Sequence, residues 1–392
     1  MNWKICLATL TCNVVFMSAS YTMLVPFLPL YLTHELGCDP ASVNLWSGLV
    51  FSSCFAITAV MTPIWGGLAD KKGKRLMAMR ASFLLAISYF LGGIVQTPLQ
   101  LTLMRVFQGF ACGLWPMELA IMTIYAPPKK LGLCLGVMQG GLTAGGVIGP
   151  LFGGILAEIF GMRMSFFLAA AALFVNFLVL TFCIKEPPDS LAIPEKNGAA
   201  VKEPHLWKNP VIRNLLLYSI FVSMVILLIQ PILTTYITAL AGEMDNLVLV
   251  SGFIFSLGGF ASAMTAPLWG QFGQHHGFHK SLTYALMAAS ICSFIQALPN
   301  NLYYFAACQF AVGLFFSGIY PSINAILAES TDSHTKGRVF GLLFSAQQIG
   351  SMLGPLLGGV IATMLGMKYV FVTAGIILAA ISIAVQRQQN KR

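Results

Sequence analysis

Charged residues are scarce in this chain. They make up 9% of the 392 residues, whereas an average soluble domain has roughly 25%. Hydrophobic residues make up 57%, and the mean hydropathy is +0.80. A chain with so little charge cannot contain a sizeable soluble domain, so the composition predicts an integral membrane protein.

Further absences narrow the class of protein. The apolar runs show no alternation of apolar and polar residues, which excludes a transmembrane barrel. The chain has no CxxC pair, phosphate-binding loop or nucleophile–base arrangement, so we expect no enzyme and no cofactor. His275, His276 and His279 are the one candidate metal cluster, but we expect them to be interfacial residues and expect no metal. It also has no nucleic-acid-binding motif, so its net charge of +9 does not indicate a nucleic-acid partner.

Long apolar runs dominate what is present. A helix that crosses a bilayer needs about 20 mostly apolar residues, and short polar or Pro/Gly breaks separate twelve such runs. The predicted spans are 5–31, 43–69, 77–95, 100–124, 132–159, 165–184, 211–238, 247–272, 281–297, 302–327, 338–364 and 369–386. The sequence therefore predicts an all-α membrane protein with twelve transmembrane helices.

The second half of the chain repeats the first. SGLVFSSCFAITAVMTPIWG at 47–66 and SGFIFSLGGFASAMTAPLWG at 251–270 share 8 of 20 residues, where about two would agree by chance. We therefore predict two pseudo-symmetric six-helix bundles that run in the same direction, over 1–184 and 211–392. The polar, proline-containing segment 185–210 would be a cytoplasmic linker.

The lysines and arginines predict the orientation in the membrane. Cytoplasmic loops next to membrane spans retain positive charge. With the N-terminus inside, 19 of the 22 Lys and Arg residues fall on the cytoplasmic side. We therefore expect a multi-pass membrane protein with both termini in the cytoplasm.

Two ionisable residues lie within the fourth predicted span. A charged side chain near the bilayer centre costs about 2.5–3.5 kcal/mol, so it normally faces a wet cavity or a partner. Glu118 is the one acid well inside a predicted span, and Arg105 lies 13 residues before it. A carboxyl group in a partly apolar cavity can bind a proton near neutral pH, so Glu118 is either a proton-coupling site or a structural strut.

Two motifs are rich in glycine. The turn GGLADKKGKR over 66–75 would reverse the chain at Gly66 and Gly73, and its acid Asp70 lies among four basic residues that include Arg75. Glycines spaced by three or four residues let helices pack closely. Such a series contains Gly136, Gly145, Gly149 and Pro150, and it recurs at an offset of 205 as Gly341, Gly350, Gly354 and Pro355.

These features resemble the major facilitator superfamily over essentially the whole chain. The 66–75 turn resembles the signature of that family between helices 2 and 3. Arg105 with Gln108 and Gly109 resembles its fourth-helix motif of proton-linked transport, and the Gly149–Pro150 series resembles its fifth-helix motif of antiporters. Pro26 and Pro29 resemble a first-helix motif of its twelve-helix drug:proton antiporters.

The resemblance implies roles for these residues. Gly66, Asp70, Gly73 and Arg75 would form a conformational latch, with Asp70 near the start of helix 11. Arg105 and Glu118 would serve proton coupling. Drug exporters of this group often carry an acid in the first helix; this first helix has none, which favours Glu118 as the proton carrier.

The leading interpretation is proton-coupled efflux of hydrophobic small molecules, cationic ones among them, by alternating access. The alternative is a dedicated exporter of a single metabolite such as a siderophore or a lipid. We expect a monomer whose partners are its small-molecule substrate, protons and the lipid bilayer. The candidate substrate-cavity residues are Tyr21, Phe27, Trp115, Glu118, Gln230, Tyr236, Phe316, Tyr320, Asn324 and Gln347.

Overall fold

The computed structural model describes residues 2–127, 130–184, 209–242, 246–298, 301–331 and 336–389, and regular structure in these residues is helical, with no strand. The helices are α1 Trp3–Met23, α2 Leu28–Leu30, α3 Val43–Lys72, α4 Lys74–Ile94, α5 Pro98–Phe110, α6 Leu114–Tyr125, α7 Leu131–Phe160, α8 Met162–Phe182, α9 Pro210–Ala241, α10 Leu247–His276, α11 Phe278–Gln296, α12 Leu302–Phe316, α13 Ile319–Glu329, α14 Lys336–Met364 and α15 Met367–Gln389. A π-helical turn, Tyr31–Glu35, follows α2.

Each of the twelve predicted spans coincides with described helix. Ten stretches of the described residues are long and apolar enough to cross a membrane. The other two predicted spans correspond to α5 with α6, which are short separate helices, and to the 19-residue α11. The predicted all-α membrane fold is confirmed.

The first span is not one helix. The sequence predicts helix over 5–31, but α1 ends at Met23 and a turn separates it from α2. Pro26 and Pro29 lack the N–H groups that would continue the helix. The π-helical turn beyond them is held by Arg163, whose Nε donates to Glu35 Oε2 at 2.8 Å and whose Nη1 donates to the Val95 carbonyl at 3.0 Å.

The chain divides into two compact units. Unit 1 contains Met1–Gly37, Ala56–Ala199 and Val248–Phe253, and unit 2 contains Cys38–Phe55, Ala200–Leu247 and Ile254–Arg392. The predicted bundle limits at 184 and 211 stay a prediction, and most of the predicted linker 185–210 lies outside the described residues.

The two units repeat one pattern of helix pairs. In unit 1, α1 packs along α7 and α4 packs along α8. In unit 2 the same arrangement joins α9 to α14 and α11 to α15. These helices are related by offsets of 204 to 207 residues at their first positions, so the duplication seen in the sequence also determines the packing.

The glycine series brings backbones into contact. A Cβ atom on Gly149 of α7 would lie 2.7 Å from the Ala19 carbonyl oxygen of α1, and one on Gly354 of α14 would lie 2.9 Å from the Leu228 nitrogen of α9. Real Cβ atoms essentially never approach other atoms this closely. Gly136 opens the series but has no neighbour within 4 Å of a Cβ, so it is not part of this contact.

At each proline of the series, a second helix packs closely against the proline backbone. A Cβ on Gly252 of α10 would lie 3.2 Å from the Pro150 carbonyl carbon, within unit 1. A Cβ on Gly48 of α3 would lie 3.2 Å from the Pro355 carbonyl carbon, within unit 2. The glycine–proline crossing therefore occurs once in each unit.

The fourth span breaks at its centre. The sequence predicts one helix over 100–124, but α5 ends at Phe110 and α6 begins at Leu114. Gly113 has a φ of 107°, which favours glycine because no Cβ clashes there. Pro116 has no N–H to donate to the Cys112 carbonyl four residues earlier, so that carbonyl needs another donor.

Side chains from α3 and α4 bind the free carbonyls of this break. Trp65 Nε1 donates to the Phe110 carbonyl at 2.9 Å, and Arg80 Nη2 donates to the Cys112 carbonyl at 2.7 Å. The Arg80 guanidinium lies 3.7 Å from the centre of the Trp65 ring, a cation–π contact of about 0.5–2 kcal/mol. Arg80 lies inside α4, within the predicted span 77–95.

Unit 2 repeats half of this arrangement. Trp269, 204 residues after Trp65, donates its Nε1 hydrogen to the carbonyl of Leu314, 204 residues after Phe110, at 2.8 Å. The position equivalent to Arg80 is Tyr284. The tryptophan contact is thus common to both units, and the guanidinium contact belongs to unit 1 alone.

Gly149→Ala should destabilise the protein, because the new methyl group would overlap the Ala19 carbonyl. Overpacking costs about 1–3 kcal/mol, so thermal unfolding in detergent should shift to lower temperature. Gly136→Ala is the matched control on the same helix, and it should leave the midpoint unchanged or raise it. Equal midpoints for the two variants would contradict the packing assigned to Gly149.

Arg80→Met should loosen the break between α5 and α6. It keeps an apolar stem beside Trp65 but removes the donor to the Cys112 carbonyl. Loss of one hydrogen bond corresponds to about 1 kcal/mol, or roughly fivefold. Amide hydrogen exchange over 111–118 should rise by about that factor, while exchange over 316–321 in unit 2 serves as the internal control. Unchanged exchange over 111–118 would show that Arg80 does not hold the break.

Candidate functional site

Glu118 is completely buried in the interior of unit 1. Its side chain has 0% exposure, and neither carboxyl oxygen has a hydrogen-bond partner. Leu114, Ile121 and Met122 share its face of α6 and belong to an apolar core that includes Leu10 and Val14 of α1. Apolar side chains of this core therefore make up much of the surroundings of the carboxyl group.

Asn13 supplies the nearest polar group. Its side-chain amide, from α1, faces the Glu118 carboxyl. The Asn13 amide nitrogen, like both carboxyl oxygens, has no hydrogen-bond partner, so the two groups lie near each other without a well-formed hydrogen bond. Asn176 of α8 fixes this part of α1 by donating its Nδ2 hydrogen to the Asn13 carbonyl oxygen at 3.0 Å.

Sequence reasoning missed both asparagines. Asn13 is 3% exposed and Asn176 is 1% exposed, so three helices each place one buried polar side chain in this region. The available signal was a single asparagine in each of two otherwise apolar runs, CNVVFM and LFVNFLV. Buried amides of this kind are normally retained for a hydrogen bond or a functional group.

Arg105 occupies a separate environment. It is 2% exposed on α5, and its Nη1 donates to Gln108 Oε1 at 2.8 Å. The break at 111–113 lies between it and Glu118. The two ionisable residues of the fourth span therefore belong to different helices, and their role in proton coupling stays a prediction.

The predicted latch is described in part. The predicted reversal at Gly66 is wrong, because Gly66 lies within the continuous helix α3; the chain turns at Gly73, which links α3 to α4 with a φ of 100°. Arg75 Nε donates to the Leu180 carbonyl at 3.2 Å, and its Nη2 donates to the Thr181 carbonyl. The Asp70 side chain lies outside the described residues, so the latch itself stays a prediction.

Several predicted cavity residues make contacts within one unit. Phe27 is fully buried edge-on to Phe166, with ring centres 6.2 Å apart. Tyr236 packs against the rings of Phe305 and Phe371, each 5.1 Å away. The Tyr320 hydroxyl forms a 2.6 Å hydrogen bond with the Ser223 hydroxyl.

The other predicted cavity residues differ in exposure. Asn324 is exposed, and partial burial is shared by Tyr21, Trp115, Gln230, Phe316 and Gln347. The sequence shows that these side chains are polar or aromatic, but it does not determine which face of its helix each one occupies. Their contact with a substrate stays a prediction.

The sequence of this chain matches those of known membrane transporters. The family model of the Major Facilitator Superfamily matches residues 10–299 and 248–387. The chain is 33% identical over 381 residues to the multidrug resistance protein MdtG of Salmonella typhimurium, covering 96% of this chain and 94% of that protein. The MdtG of Salmonella newport gives the same identity and coverage.

Solved transporter structures share the fold. A bacterial homolog of the human lysosomal transporter Spinster superimposes with a TM-score of 0.80 at 17% identity, covering 97% of this chain and 96% of that one. The nucleoside transporter NupG superimposes with a TM-score of 0.76 at 14% identity, covering 97% and 98%. The predicted resemblance to the multidrug exporters of the major facilitator superfamily is confirmed by these sequence matches. The chain is a transporter rather than an enzyme, and it belongs to the Major Facilitator Superfamily.

Proposed function

We propose that this protein exports hydrophobic drugs, cationic ones among them, across a bacterial cytoplasmic membrane in exchange for protons. The name of its MdtG relatives, multidrug resistance protein, supports the class of cargo. The match to the superfamily supports alternating access between two helical bundles. The lysine and arginine distribution supports cytoplasmic termini.

The strongest support for proton coupling is the burial of the Glu118 carboxyl group without a hydrogen-bond partner. An ionised carboxylate removed from water without a partner costs several kcal/mol. Both Glu118 oxygens are buried and without a hydrogen bond. We infer that the carboxyl group carries its proton in this arrangement of unit 1.

Exchange requires a second arrangement in which this proton leaves. An aqueous path to the carboxyl, or a donor such as the Asn13 amide at hydrogen-bonding distance, would stabilise the ionised form. Inward movement of one proton across about 100 mV supplies roughly 2.3 kcal/mol, before any pH gradient is added. That energy is available for export if release of the proton and release of the drug take place in opposite conformations.

The proposal gives roles to the predicted residues of the substrate cavity and of the latch. Trp115 lies on α6 near Glu118, so a drug bound there would sense the protonation state of the carboxyl group. Asp70 and Arg75 would stabilise one of the two conformations from the latch. We propose that a monomer carries out the whole cycle.

Glu118→Gln should abolish drug movement driven by a proton gradient. The amide matches the shape of a protonated carboxyl group but cannot release a proton. The measurement is uptake of a fluorescent lipophilic cation into proteoliposomes with an imposed pH gradient. We expect uptake to fall to the level of protein-free vesicles, while the thermal unfolding midpoint stays near that of the wild type.

Glu158→Gln is the matched control, because Glu158 is an exposed acid at the end of α7. It should transport like the wild type. Gradient-driven uptake by Glu118→Gln at the wild-type rate would reject Glu118 as the proton carrier.

A further inference from the structure

A cavity of about 350 Å³ lies between the first turns of α9 and the last turns of α15 in unit 2. Its volume is within the range of about 300–1,000 Å³ that is typical of small-molecule sites. It is lined by Asn214, Tyr218, Ala380, Ile383, Ala384, Arg387 and Gln388.

The polar lining of this cavity suits an anion. The Arg387 guanidinium, the Asn214 amide and the Tyr218 hydroxyl can each donate hydrogen bonds, and the lining contains no acidic side chain. The Tyr218 hydroxyl bonds to Gln388 Oε1 at 3.4 Å, a long contact that a better acceptor could replace. Arginine is well suited to bind a phosphate group.

The apolar lining follows the helices toward the membrane interior. On α15, Ala380, Ile383 and Ala384 share the face of Arg387, and the seven helical steps from 380 to 387 span roughly 10 Å. On α9, the exposed Leu217 and Phe221 continue the apolar surface beyond Tyr218. The lining is thus polar and basic at the helix termini and apolar further along the helices. A molecule that fits it has an anionic end at the termini and a hydrocarbon chain along the helices.

We propose that this cavity binds the phosphate-bearing headgroup of an anionic phospholipid. Basic pockets between membrane helices are suited to such headgroups. Arg387 would pair with the phosphate, Asn214 and Tyr218 would bond to its oxygens, and one acyl chain would lie along Ile383. The lipid would hold the end of α15 against the start of α9.

Native mass spectrometry of the full chain in detergent, titrated with phosphatidylglycerol, tests the proposal. Arg387→Gln should weaken binding of the first lipid by about tenfold, the effect of one charge-assisted hydrogen bond. Arg213→Gln is the matched control, because Arg213 is exposed on the adjacent face of the same turn of α9 and does not line the cavity. It should bind the first lipid like the wild type.

A second variant fills the cavity without changing its charge. Ala384→Trp should also weaken the first lipid, and equal elution volume and helix content would establish that each variant is folded. Equal losses in Arg387→Gln and Arg213→Gln would overturn the proposal in favour of diffuse surface charge. Displacement of the lipid by an equal concentration of inorganic phosphate would overturn the lipid as the ligand, since a free phosphate site would explain it.

Discussion

Direct contact between helix backbones is the constraint on which each unit depends. In lipid, helices gain little from burying apolar side chains against one another, so association relies on close packing and hydrogen bonds. Gly145, Gly149 and Gly153 bring α7 against α1, and Gly350, Gly354 and Gly358 bring α14 against α9. Any side chain at these positions would meet a backbone atom. The helices α1 and α9 can therefore lie this close to α7 and α14 only because glycine has no side chain.

The polar interior of unit 1 follows from that packing. With α1 fixed against α7, Asn13 points to the core that also receives Glu118 from α6. The break at 111–113 separates α5 from α6, so Arg105 and Glu118 lie on two different helices and in separate environments. Trp65 and Arg80 donate to two carbonyls at this break, those of Phe110 and Cys112, and so replace two of the backbone hydrogen bonds that a continuous helix would form. Unit 2 has the tryptophan contact, but its described helices have no acid well inside a predicted span, so the two units are similar in packing and different in chemistry.

The sequence was sufficient for the properties that depend on composition and spacing. Helix-length apolar runs predicted the twelve spans, and the repeat at 204–205 predicted that the two halves of the chain resemble each other. The sequence was insufficient where a distant residue decides the outcome. Pro116 breaks its span whereas Pro231 lies inside the continuous α9, so a proline alone does not determine a break. The contact of Asn13 with the region of Glu118 requires three helices to be in place, and Phe27 and Tyr236 pack inside their units because of neighbours that no local pattern identifies.

Protonation of Glu118 is the claim that connects this architecture to transport. It can be measured directly by infrared difference spectroscopy of the reconstituted protein, comparing the wild type with Glu118→Gln while a drug is added. The account predicts a carbonyl stretching band of a protonated carboxyl group that is present without drug, decreases when drug binds and is missing in the variant. A band that is unaffected by drug and by pH, or a spectrum identical in the two proteins, would contradict it.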